Sequence, residues 1–157
     1  MEAPSKQIVD DLNSAAQMLA HLSAQYRVDI KNIKSLGPKW LAKRVKCWYH
    51  ETEEHLDKIV CRLFYFGEDP DYEVGQVVGA DDVVEILKRA EALVYAAHDA
   101  FCDFRKSAWE AKADYTPDIY EHAIHALERQ AYQIERELEL IKKLTEPGYI
   151  GARLEDE

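Results

Sequence analysis

The sequence predicts an all-α protein, an up-down four-helix bundle with a long crossover between its second and third helices. Three observations carry this. Four long segments repeat apolar residues at spacings of three and four, the period of a helix with one face in a core. The joints between segments one and two, and between three and four, are a few residues long, so each pair folds as antiparallel neighbours. Between the pairs lies EDPDYEVGQVVGA, which lacks that period. Fully extended, such a stretch reaches roughly 40–45 Å. A helix of about 28 residues has the same length, so the stretch can carry the chain to the far end of the bundle.

The first helix carries Ile8, Leu12, Ala15, Leu19, Leu22, Tyr26, Ile30 and Ile33 on one stripe. Gly37 fits its stop, and Pro38 fits the first turn of the next helix. The second stripe is Leu41, Val45, Trp48, Thr52, His55, Ile59, Leu63 and Phe66, ended by Gly67. The third helix opens at Asp81 or Asp82, and Asp82 with Glu85 has capping-box spacing. Its stripe is Val84, Leu87, Ala90, Val94, Ala97, Phe101, Phe104 and Ala108. The fourth opens with Thr116 as cap and Pro117 as first helical residue. It carries Tyr120, Ala123, Leu127, Gln130, Ile134, Leu138, Ile141 and Leu144, and Pro147-Gly148 reads as its stop. The tail YIGARLEDE has room for one more short helix.

The 157 residues, with no repeat or low-complexity tract, imply one domain over 1–157. No apolar run approaches the roughly 20 residues of a membrane span. The start, MEAPSKQIVDD, lacks the layout of a secretory signal. A cytoplasmic protein is expected, without a membrane partner. A net charge of −10 argues against nucleic acid as a partner.

Few residues suggest chemistry. Cys47, Cys61 and Cys102 are far apart and odd in number, which argues against a disulfide framework or a zinc knuckle. Glu51 with His55, Glu121 with His125, and His98 with Cys102 have the i, i+4 spacing of a metal pair, but such pairs are common on charged helices. His122, His125 and Glu128 sit off the apolar stripe, and His98 borders it. No nucleophile elbow, phosphate loop or dinucleotide fingerprint is present.

Several short matches share one order and spacing over most of the chain. They are Leu12-Asn13, Gln25-Tyr26, Leu36-Gly37, the run from His55 to Phe64, Pro70, VVGADDVVEIL, IERELELIKKL and Tyr149. Together they resemble bacterioferritin, a ferritin-like bundle of two hairpins joined by one long crossover. The resemblance implies a shell-forming subunit that stores iron. It also implies a di-iron site made by one Glu from each of two helices and a Glu-x-x-His from each of the others. Carried over residue by residue, those positions fall on Leu19, Thr52 and His55, Val94, and Leu127 and Gln130. Only His55 matches, as a residual metal ligand. The family's haem is held between two subunits by a methionine from each. Its position here is Glu53, and the only methionines are Met1 and Met18.

The stripes agree without the family. Leu19, Val94 and Leu127 face the level where metal would sit, beside Thr52, His55 and Gln130. Burying iron among leucines without carboxylates is very costly. The residues favour a small hydrogen-bonded polar centre of Thr52, His55 and Gln130 over a single-metal site on His55. No cofactor is expected at the di-iron or haem positions; an assembled shell could hold a stored iron mineral. The leading expectation is a catalytically silent bacterioferritin-like subunit, in a homo-oligomer or co-assembled with an active subunit. The alternatives are a repurposed bundle acting as a binding or scaffold protein, and a metal enzyme with a displaced ligand set.

Overall fold

The computed structural model describes residues 4–154. Met1 and the last three residues of the tail lie outside them. Four helices follow in order: α1 (Lys6–Leu36), α2 (Lys39–Tyr65), α3 (Val83–Glu110) and α4 (Thr116–Ala152). α1 packs chiefly on α2 and α3 on α4, so the bundle is two hairpins laid together. The predicted stripes line one core, in which Leu12, Tyr26, Ile33, Leu41, Ile59, Leu63, Val94, Phe101 and Ile134 are wholly buried. Leu144 is the exception at 40% exposure, because it lies at the end of the stripe beside a break in α4. No helix is long and apolar enough to cross a membrane among the described residues.

The joints show how local chemistry sets the ends. Ser5 caps α1 by accepting from the Ile8 amide. Gly37 turns the chain at φ 123°, and a Cβ there would meet Ile150 Cγ2 at 2.9 Å, so both backbone and packing call for glycine. Pro38 stands one position before the helix, as its N-cap, where its missing amide costs nothing. α2 closes in a Schellman turn: Glu68 N donates to Leu63 O, Gly67 N donates to Phe64 O, and Gly67 takes φ 76°. Asp82 caps α3 through the Glu85 amide, while the Glu85 carboxylate pairs with Arg89.

Two sequence expectations about α4 need correction. Thr116 is its first helical residue, and its hydroxyl accepts from Arg62 Nε at 3.0 Å instead of capping the helix. Arg62, only 8% exposed, needs that oxygen to satisfy a buried guanidinium. Pro147-Gly148 does not stop the helix. The break is at Thr145 (φ 61°, ψ 166°), and Pro147 sits in the first turn of the piece that follows, where proline is tolerated. That piece, residues 146–152, folds back on the bundle. Tyr149 is wholly buried and donates to Glu137, Arg153 pairs with Glu137, and the Arg153 carbonyl accepts from the Trp40 amide at the start of α2. The expected short C-terminal helix is this piece.

The crossover runs parallel to α1, pinned by side-chain amides. Asp71 N donates to Asn13. Gln25 accepts from Val78 N and donates to Val78 O, and Asn32 does the same with Ala80. Residues 78 and 80 thus receive the pairing a neighbouring strand would give alternate residues. Between Asn13 and Asn32 the helix rises about 28 Å, and the crossover covers that distance in an extended form. At Gly75 a Cβ would stand 2.7 Å from His21 Nδ1, so the strap lies hard against α1 there.

Candidate functional site: a closed polar centre

Midway along the bundle, three helices send polar side chains into the core. Tyr26 of α1 reaches across and donates to Gln130 Oε1 on α4 at 2.7 Å. The Gln130 amide nitrogen donates to Glu51 Oε1 at 3.0 Å and to Thr52 Oγ1 at 3.3 Å, both on α2. Thr52 passes its own proton to the Trp48 carbonyl at 2.8 Å. The hydrogen bonds therefore run in one direction, from Tyr26 through Gln130 and Thr52 to the backbone. Glu51 only accepts, which fixes the Gln130 nitrogen on its side. Arg129 closes on the outer edge of Glu51, and Trp48 Nε1 donates to Gln133 at 2.6 Å. Burial holds the Tyr26 phenol well above its ordinary pKa, with the charges of Asp29 and Glu51 pushing the same way, so it stays a donor.

The structure brings Thr52 and Gln130 together as expected, but joins them to Tyr26 and Glu51 instead of His55. His55 is half-buried. Its Nδ1 is buried without a hydrogen-bond partner among the described residues. Desolvation lowers its pKa, Lys58 and His122 add to this, and Glu51 and Glu54 oppose it. Leu19, Val94 and Leu127 are at most 2% exposed and complete the walls. Tyr26 and Trp48 read as packing residues in the sequence, and Glu51 as one half of an i, i+4 pair with His55; the structure gives its carboxylate to Gln130 and Arg129 instead. The available signal was a tyrosine and a glutamine on the inner stripes of two helices, each needing a partner.

The other expected pairs are used elsewhere. Glu121 faces Arg105 at 3.8 Å, His98 pairs with Asp99, and Glu53 accepts from the Ser23 hydroxyl at 2.6 Å. Cys47 and Cys61 are exposed and Cys102 half-buried, all as free thiols. Among the described residues, no three His, Cys, Asp or Glu side chains converge as a metal site would require.

This residue set does not fit a pair of irons. Gln130 spends its carbonyl and amide inside the network, three of the family positions are aliphatic, and Glu51, the one carboxylate in the network, is engaged by Arg129 and Gln130. Nor does Glu53 fit the haem, since it puts a hard, hydrogen-bonded oxygen where a thioether would be.

A family model for the ferritin-like domain matches residues 9–144. No match was found among curated protein sequences. Among solved structures, the chain is similar to a bacterioferritin of Rhodobacter capsulatus, described with a metal-free dinuclear site and a haem iron on a crystallographic special position. The two are 20% identical and superpose with a TM-score of 0.92 over 97% of this chain and 96% of that one.

Proposed function

The chain belongs to the ferritin-like domain family, and from that premise we propose that it is a catalytically silent, bacterioferritin-like subunit of an iron-storage shell. It assembles alone or with an active subunit that supplies the oxidation chemistry. The observation that carries this reading is the closed polar centre. Gln130, Thr52, Glu51 and Tyr26 satisfy one another where the family would hold metal, while the fold around them is kept. A net charge of −10 suits a subunit that handles iron cations. His55 remains a family ligand in name, with a neutral imidazole and no bound metal.

Native mass spectrometry combined with elemental analysis tests the proposal. The expected result is a large closed oligomer, of about 24 subunits by analogy with the fold, that takes up iron as mineral. A monomer or small dimer without iron, over a wide concentration range, would overturn it in favour of a scaffold role.

A further inference from the structure

α1 and α4 are the diagonal pair of the bundle. They run the same way, since each hairpin reverses the chain and the crossover carries it back along α1. The Tyr26–Gln130 hydrogen bond ties them near mid-height. A second pair of polar side chains from the same two helices lies nearer the end where both begin. Asp11 of α1 is 6% exposed and Tyr120 of α4 is 1% exposed. Gln7 Nε2 donates to Asp11 Oδ1 at 2.7 Å. Asp11 Oδ2 and the Tyr120 hydroxyl are both buried without a hydrogen-bond partner among the described residues. One is an acceptor lacking a donor, and the other is a donor lacking an acceptor. Leaving both bare is costly, and buried polar groups in folded proteins are nearly all paired.

The two groups approach each other. By the register of the Tyr26–Gln130 bond, Tyr120 stands about five residues, roughly 7 Å, further along the bundle than Asp11. A helical tyrosine leans back towards the N-terminus of its own helix, which brings its hydroxyl down towards the level of Asp11. Phe101 and Phe104 hold the Tyr120 ring from the α3 side, with centroids 5.6 and 5.8 Å away, so the hydroxyl is directed towards α1. Burial, and then the negative charge of Asp11, keep the phenol protonated and therefore a donor.

We infer that Asp11 and Tyr120 form a binding site for one buried water molecule, which accepts from the Tyr120 hydroxyl and donates to Asp11 Oδ2. The chemistry selects this ligand. Its occupant must accept from a hydroxyl and donate to a carboxylate oxygen at once, and water does both through a single oxygen. An anion has no proton for the carboxylate. A metal ion would find one carboxylate oxygen and a neutral phenol, and no third acidic, imidazole or thiol ligand converges there among the described residues. The bridge ties α1 to α4 a second time, in the opposite sense. The dry tie runs from a tyrosine of α1 to α4, and the wet tie runs from a tyrosine of α4 to α1. This site is independent of what the assembled protein stores.

A high-resolution crystal structure and a double-mutant cycle test it, using the full-length protein with Tyr120→Phe, Asp11→Asn and both together. In the wild type, one ordered water should lie within hydrogen-bond distance of both oxygens. In Tyr120→Phe it should be displaced or gone. Urea unfolding should show the unfolding constant raised roughly tenfold by each single substitution. The double substitution should raise it by clearly less than the product of the two, because both act on one bridge. A direct hydrogen bond from Tyr120 to Asp11, with no water between them, overturns the inference. So does another group of the chain filling the site, or a double variant whose effect equals the product of the singles. The wild-type density decides the case even where a variant fails to fold.

Discussion

Two residues inside the bundle carry most of what can be tested by single substitution. Gln130 is held by Tyr26, Glu51 and Thr52, so deleting one partner strands buried polar groups. Tyr26→Phe and Gln130→Leu should each cost about 1–3 kcal/mol. The double substitution should cost clearly less than their sum, because it removes both ends of one bond. Urea unfolding of the four proteins checks this, and strict additivity would show that the bond is not formed. Asp29 offers a pH test. It is 1% exposed, Gln25 donates to one of its oxygens, and the other has no partner among the described residues. Desolvation raises its pKa to about 6, against the opposing effects of Gln25 and Arg89. The folded state thus holds this proton more tightly than the unfolded chain. The stabilisation is fully present below the ordinary carboxylate value and is lost as pH rises through about 6. Asp29→Asn should therefore melt higher than wild type above pH 7, by on the order of 2 kcal/mol in stability, with the difference shrinking towards pH 4. Melting curves that stay parallel from pH 4 to 8 would contradict this. Neither site was fully legible in the sequence. Periodicity places Tyr26 and Gln130 on inner stripes, but gives no measure of how far a tyrosine reaches across a core.

At the scale of elements, the apolar stripes and the helix ends at Gly37, Gly67 and Asp82 follow from spacing and turn chemistry, while the tertiary contacts at the other helix ends do not. Thr116 looks like a cap until Arg62 is seen to take its hydroxyl, and Pro147 looks like a stop until the break is found two residues earlier. The break has a consequence for α3. Glu146, just past Thr145, accepts from the amides of Val83 and Val84 with one carboxylate oxygen. It caps a helix more than sixty residues away in sequence, with its negative charge at the positive end of the dipole. Glu146→Ala should cost about 1 kcal/mol and speed amide exchange in the first turn of α3, while exchange in mid-helix α3 stays slow. Unchanged exchange at Val83 and Val84 would show that Asp82 caps the helix alone. The crossover poses the same limit on reading. Its length was enough to predict that it spans the bundle, but the amides that pin it, Gln25 and Asn32, lie off the apolar stripe and signal nothing by period.

For the whole molecule, the question is whether a bundle that kept the fold can still perform the family's oxidation chemistry. Ferrous iron needs anionic oxygen ligands with unspent lone pairs, and its oxidised product needs more negative charge still. The centre of this bundle offers Leu19, Val94 and Leu127 as walls, and one carboxylate, Glu51, already engaged by Arg129 and Gln130. His55 could contribute one imidazole. It makes no hydrogen bond with Gln130 or Thr52, so its replacement leaves their network whole. His55→Leu should accordingly preserve assembly and change the melting temperature little, because lost solvation of a neutral ring is offset by apolar burial. Iron or zinc should stabilise neither protein. A metal-dependent rise in melting temperature that vanishes in the variant would establish a real site on His55. The isolated chain, mixed with iron(II) and oxygen, should oxidise iron only at the rate of buffer. An active subunit added to it should restore fast oxidation in proportion to its own amount, and this chain should add capacity for mineral without adding rate. A rapid, saturable burst near two irons per chain from this protein alone would mean that a displaced set of ligands does the chemistry.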